Sequence, residues 1–292
     1  MSVSWPRSSV SIEGGVLHVV ATPIGNLGDL SPRAVQVLAG VDLIAAEDTR
    51  HTAGLLAHCG VQTPRVSLHE HNEDRQVPAL IQRLIQGESL ALVSDAGTPL
   101  ISDPGFRLVA AARAAGIRVV PIPGPAALIA ALSASGLPSD RFWFEGFLPA
   151  RAQARRHRLE ALAAVSGTLI LYESSHRIQG SLEDMAQTLG GERRAVVARE
   201  LTKTFEQIQG GRLDDLCVWL SSDPNHTRGE FVVLVTGAPD APGEALTAEA
   251  RRVLALCLAQ MPVKQAAKLA SQITGAPKND LYQQALALKG KA

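Results

Sequence analysis

The sequence is poor in cysteine and has no excess of charge of either sign. Its three cysteines, Cys59, Cys217 and Cys257, form no CxxC pair, so neither a disulfide framework nor a structural zinc site is expected. The 28 Lys and Arg residues are balanced by 28 Asp and Glu residues, which excludes a surface that is basic throughout. A local basic patch remains compatible with this balance.

Long apolar segments and the common nucleotide-binding motifs are also missing. The longest apolar stretch, PAALIAALSA, is too short to cross a bilayer. Residues 1–14 have no apolar signal core and are predicted to form a flexible extension, so we expect a cytoplasmic protein. No GxGxxG, GxxxxGK(S/T) or GxSxG motif occurs, and a dinucleotide fold, a P-loop or a serine hydrolase has no local support.

The sequence does contain a regular alternation of short β-branched runs with helical patterns. Ser31-Pro32 is typical of a helix N-cap followed by proline in the first turn, and Asp103-Pro104 has the same pattern. The alternation predicts an α/β fold with mostly parallel sheets and helices on both faces. The strands predicted in the first half are VLHVVA (16–21), VDLIAA (41–46), RVSLH (65–69), SLALV (89–93) and IRVVPI (117–122).

Composition divides the chain into further segments. The proline-rich PIPGP run predicts a boundary near residue 123, between α/β domains at 15–123 and 124–237. Residues 238–292 are predicted to be a linker followed by three short helices. From Leu246 onward these helices carry seven Lys or Arg residues against two acidic ones. They resemble a helix-turn-helix module that contacts nucleic acid, although a capping or dimerisation bundle has the same pattern.

The segment VSDAGTPLISDPGF (93–106) follows a predicted strand and combines two Asp, two Gly and two Pro residues. Glycine lets backbone amides approach a ligand closely, and proline fixes a loop before binding. Asp95 or Asp103 could accept a hydrogen bond from a ligand, whereas Asp103 could equally cap the next helix. We therefore expect the main chain to matter most, with Gly97→Val more damaging to ligand binding than Asp103→Asn.

Three other polar motifs begin at predicted strand ends, where open parallel sheets bind ligands. They are AEDTRHT (46–52), YESSHR (172–177) and RELTKTFEQ (199–207). They would bring together Asp48, Arg50, His51, Glu173, His176, Arg177, Glu200 and Lys203. Helix capping by Asp48 or Thr49 and ordinary surface ion pairs are the alternative interpretations.

Two further motifs have competing interpretations. The basic stretch LPARAQARRHRLEAL (148–162) could contact a phosphate backbone or form a solvated helix face. HEHNED (69–74) places His69 and His71 two residues apart, as in a metal pair. Because this run leads into a helix, capping by Asn72, Glu73 and Asp74 is favoured and no metal is predicted.

Together these motifs resemble the tetrapyrrole-methylase superfamily, and within it the branch that 2′-O-methylates a cytidine of 16S rRNA. The resemblance spans about residues 16 to 236. The segments that carry it are ATPIGNLGDLSPRA, AAEDTRHTAGLL, VSDAGTPLISDPG, PGPAALIAALSASGLP, FEGFLP, LYESSHR, VARELTKTFEQ and RGEFVVLV. The basic helical tail is similar to the C-terminal module of that branch.

The resemblance implies a two-domain enzyme that binds S-adenosylmethionine between its α/β halves, acts on 16S rRNA of the small ribosomal subunit and forms a homodimer. Thr98 stands where the superfamily usually has Asp, and Ala126 stands where it has Ser. The implied cofactor-binding residues are Pro23, Gly25, Asp95, Gly97, Thr98, Pro99, Ser102, Asp103, Gly124, Pro125, Ala126 and Tyr172.

The reaction type suggests roles for the charged residues as well. A ribose hydroxyl is a weak nucleophile, so a base or hydrogen-bond acceptor should assist it. The catalytic candidates are Glu173, Glu200 and Lys203, with Asp48 and His51 as further candidates for the base. The RNA-binding candidates are Arg50, Arg151, Arg155, Arg156, Arg177, Lys264, Lys268 and Lys278.

Two alternative functions remain at this point. A tetrapyrrole C-methyltransferase would use the same fold and cofactor but has no need of a basic tail. A non-catalytic RNA-binding assembly factor would use the basic surfaces and has no need of the cofactor loops.

Overall fold

The structure is a computed structural model that describes residues 14–238, 246 and 248–289. The predicted N-terminal extension, apart from Gly14, lies outside the described residues, and so does most of the predicted linker. The chain divides into two compact units, Met1–Ala163 with Gly167–Thr236, and Ala164–Ser166 with Gly237–Ala292. No helix among the described residues is long and apolar enough to cross a membrane.

The first unit contains a five-stranded sheet in which every pairing is parallel, in the order β3-β2-β4-β1-β5. Its strands are β1 (Val16–Val20), β2 (Leu43–Ala46), β3 (Arg65–Ser67), β4 (Leu90–Val93) and β5 (Arg118–Ile122). Its helices are α1 (Pro32–Gly40), α2 (Thr49–Cys59), α3 (Glu73–Ile85) and α4 (Phe106–Ala114). Helices α1 and α2 pack on one face and α3 and α4 on the other, which confirms the predicted doubly wound arrangement.

The order of the strands creates a switch point between β1 and β4. The chain leaves β1 toward β2 on one side, and it leaves β4 toward β5 on the other. Ligands of open α/β sheets bind at such a point, outside the carboxyl ends of the strands. The two loops that start there are tied together by a backbone bridge between Thr22 and Gly97.

Two helix caps that had the same sequence pattern differ in the structure. Ser31 caps α1 as predicted, since its Oγ accepts a hydrogen bond from the Ala34 amide at 3.1 Å. The cap predicted at Asp103 is wrong, because α4 begins only at Phe106, after Gly105 in a left-handed conformation. The Gly105 amide donates instead to the Glu73 carboxylate at 2.8 Å, and Asp103 is left free for another role.

A second five-stranded sheet in the same unit is mixed, with the order β6-β7-β10-β8-β9. Only β6 and β7 pair in parallel, and the other three pairings are antiparallel, so the prediction of mostly parallel pairing is wrong for this sheet. Its strands are β6 (Phe142–Phe147), β7 (Thr168–Ser174), β8 (Arg194–Arg199), β9 (Gln207–Arg212) and β10 (Glu230–Val235). Its helices are α5 (Ala127–Ser135), α6 (Ala152–Leu162), α7 (Ile178–Leu189) and α8 (Leu213–Ser222).

The second unit is a small bundle of α9 (Ala248–Leu258), α10 (Val263–Thr274) and α11 (Lys278–Lys289). Its core consists mainly of alanine and leucine, including Leu254, Ala267 and Leu281. Gly275 ends α10 in the left-handed conformation, and only three residues separate α10 from α11. A short glycine-containing turn between two helices is the geometry of a helix-turn-helix.

Candidate active site

A cavity of about 310 Å³ opens in the first unit at the carboxyl edge of β4. That volume is at the small end of the range for ligand pockets. Its walls come from the loops after β1 and β4, from the start of α5 and from β6, β7, β8 and β10. The lining residues are Ile24, Ala96, Gly97, Thr98, Ile101, Ser102, Asp103, Ala126, Ala127, Phe147, Tyr172, Glu173, Ser174, Ala198, Leu201, Glu230, Phe231 and Val232.

Gly97 forms the backbone floor of this cavity. Its amide donates to the Thr22 carbonyl at 3.1 Å, and its carbonyl accepts from the Thr22 amide at 2.8 Å. Its φ of +81° lies in the left-handed region, where glycine alone carries no steric penalty. The neighbouring Thr98 hydroxyl donates to the Pro125 carbonyl at 2.9 Å, so the loop after β4 is fixed against the entry to α5.

Asp103 places a carboxyl group on the cavity wall within an acidic neighbourhood. Burial raises its pKa to about 6, against the effect of a hydrogen bond from Ser94, and the nearby charges of Glu47 and Asp95 add to the rise. Burial also raises the pKa of Glu47. A site that holds excess negative charge away from water favours a cationic ligand.

Tyr172 anchors the wall formed by β6 and β7. Its hydroxyl accepts a hydrogen bond from the Leu128 amide at 3.2 Å, and burial raises its pKa. Its ring makes edge-to-face contacts with Phe144, at a centroid distance of 5.0 Å, and with Phe147, at 5.7 Å. The wall is therefore largely apolar, and the Tyr172 hydroxyl still has a proton that it can donate to a ligand.

Backbone strain is concentrated around the cavity. Among the described residues, the non-glycine residues with positive φ are Leu100, Ser102, Glu200 and Thr202. The first pair belongs to the loop after β4 and the second pair to the loop after β8, and both loops supply lining residues. Such conformations cost on the order of 1–3 kcal/mol each and cluster at functional sites.

Glu173 is the catalytic candidate that lines the cavity. It is only 3% exposed, and its two oxygens accept hydrogen bonds from the Ser174 amide at 2.8 Å and the Ser181 hydroxyl at 2.6 Å. Arg177 lies 3.4 Å from the same carboxylate. The Ser174 hydroxyl also donates to the first of these oxygens, at 3.5 Å. The oxygen bound by Ser181 has one further lone pair with which it could accept a hydrogen bond.

Glu200 and Lys203 are paired with each other beside the cavity. The Lys203 ammonium lies 2.8 Å from both Glu200 and Glu230, and Glu230 is itself a lining residue. Although burial opposes it, the hydrogen bonds from Lys203 and the Glu230 amide lower the pKa of Glu200. Lys203 is thus the cation of a fixed charge cluster, and Glu200 is a weak base.

The cavity gathers half of the twelve predicted cofactor-binding residues. Those that line it are Gly97, Thr98, Ser102, Asp103, Ala126 and Tyr172. Those outside its lining are Pro23, Gly25, Asp95, Pro99, Gly124 and Pro125. Three of these support neighbouring chain: Pro125 accepts from Thr98, Gly124 packs on Ala21, and a Cβ on Gly25 would lie 2.5 Å from the Lys203 side chain.

The sequence interpretation missed the apolar walls. Ile24, Ile101, Leu201 and Val232 line the cavity, yet their types and spacing match those of ordinary core residues. The one available signal was the FEGF motif, which places an aromatic residue at 147. The position of Phe147 on the cavity wall depends on a β-bulge that could not be predicted from the sequence.

The predicted RNA-binding arginines differ in exposure. Arg155 is buried in an ion pair with Asp184 at 2.6 Å, so the geometry opposes its predicted contact with RNA. Arg156 shares the same carboxylate at 3.1 Å, and Arg177 donates to the Leu148 carbonyl. Arg151 is exposed without a carboxylate partner among residues 14–238, and it keeps its predicted role as a proposal.

Helix α2 and the second unit contain the other basic candidates. Asp48 caps α2 through the Arg50 amide and also pairs with the exposed Arg50 side chain at 2.8 Å, which supports the capping interpretation of this residue. In the second unit, the side chains of Lys264, Lys268 and Lys278 are exposed. Lys278 begins α11.

The histidine motif shows turn geometry. The Asn72 side chain accepts from the His69 amide at 2.9 Å and donates to the Ser67 carbonyl at 3.0 Å. In the part of the chain that the structure describes, no group of three or more His, Cys, Asp or Glu side chains is placed to hold a metal ion. Asn72 precedes α3, but its side chain makes no capping hydrogen bond to that helix. The predicted side-chain cap is therefore wrong, and Asn72 instead closes the turn before α3.

Comparison with known proteins gives consistent matches. The model of the tetrapyrrole (corrin/porphyrin) methylase family matches residues 16–217, and that of the RsmI C-terminal HTH domain matches residues 244–289. A ribosomal RNA small subunit methyltransferase I from Pseudomonas aeruginosa is 60% identical over 96% of this chain and 100% of its own. One from Xylella fastidiosa is 61% identical over 92% of this chain and 98% of its own.

Solved structures agree on the fold. A diphthine synthase superimposes with a TM-score of 0.58 at 17% identity, covering 76% of this chain and 90% of its own. A uroporphyrin-III C-methyltransferase from Thermus thermophilus, solved with S-adenosyl homocysteine, has a TM-score of 0.50 at 16% identity and covers 75% of this chain and 96% of its own. The family model over most of the α/β region and the nearly full-length relatives lead to one conclusion: the chain belongs to the ribosomal RNA small subunit methyltransferase I family of tetrapyrrole methylases.

Proposed function

We propose that this protein methylates the ribose 2′-hydroxyl of a cytidine in 16S rRNA, with S-adenosylmethionine as the methyl donor. Membership of the family makes it an S-adenosylmethionine-dependent methyltransferase, as predicted from the sequence. The observation that carries the proposal is the cavity at the switch point, where an apolar pocket meets the Asp103 carboxyl group. The finer points, the cytidine and its 2′-oxygen, rest on the resemblance of the motifs.

The residues of the cavity fit this cofactor. Ile24, Ile101 and Leu201 provide apolar surface for a flat adenine, and the Gly97 backbone, paired with Thr22, forms the floor of the cavity beside it. Asp103, held among other acids, suits the positive charges of the methionine end. When bound, S-adenosylmethionine supplies a methyl group already activated on a sulfonium.

The chain's own contribution is then mainly positioning. Holding the acceptor oxygen in line with the reacting carbon removes a large entropic part of the barrier. Glu173 lines the cavity, and the oxygen bound by Ser181 has one further lone pair for the hydrogen bond of the attacking hydroxyl. The Lys203 cluster, with Glu200 and Glu230, fixes the loop after β8 to the start of β10.

We expect Glu173→Gln to slow single-turnover methylation about tenfold, because one hydrogen bond to the reacting hydroxyl is worth roughly 1.5 kcal/mol. The rate would be measured with RNA and cofactor saturating. Alanine at Glu200 and at Lys203 provides the comparison, with smaller losses expected since these residues lie outside the lining. Unchanged rates in all three variants would leave positioning alone as the source of acceleration.

The direct test of the function uses tritiated S-adenosylmethionine. The protein should label small ribosomal subunits that lack the modification, and nuclease digestion should recover the label as a 2′-O-methylated cytidine. Label on a porphyrin or corrin precursor would favour the tetrapyrrole C-methyltransferase. RNA binding without label on either substrate would favour an assembly factor.

We further propose that the helical unit binds rRNA through Lys264, Lys268 and Lys278. Its described side chains include five Lys or Arg residues, the other two being Arg251 and Arg252, against Glu249 and Asp280. Lys278 lies at the start of α11, the helix that follows the turn. In a helix-turn-helix the corresponding helix lies in the major groove of the nucleic acid. Homodimer formation and a cytoplasmic location complete the proposal.

Replacement of these three lysines by alanine should weaken binding of small subunits about tenfold at moderate salt. For each phosphate that the variant no longer neutralises, the slope of log K against log salt should fall in magnitude by about 0.7 to 0.9. Filter binding at several salt concentrations measures both quantities, and the affinity for S-adenosylmethionine should not change. The matched control replaces Arg65, Arg75 and Arg113, which are exposed on the first unit. Equal losses in both triple variants would contradict a specific role of the helical unit.

A further inference from the structure

Phe147 exposes an aromatic ring at the cavity in a way that core packing does not explain. Only 4% of the residues are aromatic, yet Phe144, Phe147 and Tyr172 meet at this one place. Phe144 and Tyr172 are largely covered, whereas Phe147 is 54% exposed while lining the cavity. Half of a large apolar side chain is thus held in water at the site.

A bulge in β6 turns Phe147 to this face. Phe144 pairs with Ile170 and Phe147 pairs with Tyr172, so three steps along β6 correspond to two along β7. Without the bulge, the alternation of side chains would place Phe147 on the opposite face of the sheet. Bulges next to active sites commonly re-aim a side chain, and they are rare in parallel pairs.

The bulge itself requires a special residue. Gly146 has a φ of +72°, and a Cβ there would lie 3.2 Å from the hydroxyl of Ser102, a residue of the cavity wall. The glycine therefore brings β6 close to the loop after β4 and orients the next side chain. Phe142 and Trp143 on the same strand are also exposed, but neither lines the cavity.

The charged residues around Phe147 indicate which kind of ligand group can cover its exposed ring. Asp103 lines the same cavity, with the charges of Glu47 and Asp95 nearby. A phosphate would therefore meet like charge there, whereas a neutral flat base would not. Bases of single-stranded RNA stack on aromatic side chains when they leave their own stack. Its neighbour Tyr172 holds the Phe147 ring edge-to-face at 66°, which leaves a ring face open.

We propose that Phe147 stacks on the nucleobase whose ribose is methylated and thereby positions its 2′-hydroxyl. This inference rests on the proposed function, since it names the residue that holds the RNA substrate at the same site. Phe147 is a substrate-positioning residue: it contacts the base and leaves the reacting bond to other groups.

The test compares Phe147→Leu, which keeps apolar bulk but removes the stacking face, with Phe147→Tyr and Phe147→Trp. Phe147→Leu should weaken binding of unmodified small subunits to the cofactor-free protein about 5- to 10-fold and lower kcat/KM by the same factor. Tyr and Trp should restore both within about twofold, as base–aromatic stacking predicts. The matched control is Phe106→Leu, which replaces a 70% exposed ring outside the cavity and should change neither quantity.

Calorimetry with S-adenosylmethionine separates the competing outcomes. Unchanged cofactor affinity in Phe147→Leu together with weaker RNA binding supports the proposal. Loss of cofactor affinity with intact RNA binding would make the ring part of the adenine pocket and overturn it, and unchanged values of both would also overturn it. Failure of the wild-type protein to bind and label small subunits, with a normal melting curve, would instead reject the proposed function.

Discussion

Gly97→Val should abolish measurable binding of S-adenosylmethionine while leaving a folded protein. Valine at a φ of +81° is strained by its branched side chain. Its Cβ would also lie 3.3 Å from the Ile24 side chain on the cavity wall. Relief of both problems requires the loop to move, which breaks the paired hydrogen bonds with Thr22. Isothermal titration calorimetry should show a loss of at least about 100-fold, corresponding to roughly 3 kcal/mol.

The matched control for this variant is Gly116→Val. Gly116 has a similar φ of +72°, but a Cβ there meets no atom within 4 Å, and the residue lies after α4, outside the cavity lining. It should therefore lose stability through backbone strain and keep its cofactor affinity. Equal loss of binding in both variants would trace the effect to general destabilisation and contradict a specific role for Gly97.

Asp103→Asn should weaken cofactor binding about 100-fold and raise the melting temperature of the free protein. The structure places Asp103 on the cavity wall, so its replacement is expected to be more damaging than the helix-cap interpretation implied. A charge-assisted hydrogen bond to a cationic group is worth roughly 1.5–3 kcal/mol, which asparagine cannot provide. Asparagine also removes a partly buried negative charge that destabilises the folded protein.

The pH dependence of stability and of cofactor affinity gives an independent test of the role of Asp103. Burial raises the pKa of Asp103 from 3.8 to about 6, so the folded state binds a proton more readily than the unfolded state between those values. The free energy of unfolding therefore falls as pH rises from about 4 to 6 and stays lower above pH 6. Wild-type protein should lose cofactor affinity below pH 6, whereas Asp103→Asn should show a flat profile. A parallel decline in both proteins would assign the titration to another group.

The sequence allowed the fold class to be predicted because the signals for it are local. The Ser31 hydroxyl caps α1 by accepting a hydrogen bond from an amide only three residues away. Continuous apolar runs such as Leu90–Val93 indicate buried parallel strands. The resemblance of the motifs supplied the family and the cofactor, which neither composition nor periodicity could supply. The pairing direction in the second sheet followed no local pattern and was visible only in three dimensions.

The errors concern residues whose partners are distant in sequence. Arg155 and Arg151 have equivalent settings in the sequence, but Arg155 is buried against Asp184, 29 residues further on. Asp103 does not cap α4 because Glu73, 32 residues before Gly105, reaches the Gly105 amide. Local sequence patterns cannot predict these ion pairs and hydrogen bonds, because tertiary packing decides which distant residue becomes the partner.

The strained residues around the cavity set a limit on how this protein can be stabilised. Glycine at Leu100, Ser102, Glu200 or Thr202 would relax a left-handed backbone and would be an attractive choice for thermostable design. Yet Ser102 lines the cavity, and Glu200 holds Lys203 in place. Glycine substitutions chosen only to raise the melting temperature would therefore make these two loops more flexible. Stabilising substitutions are safer for the activity in helices such as α1 and α8.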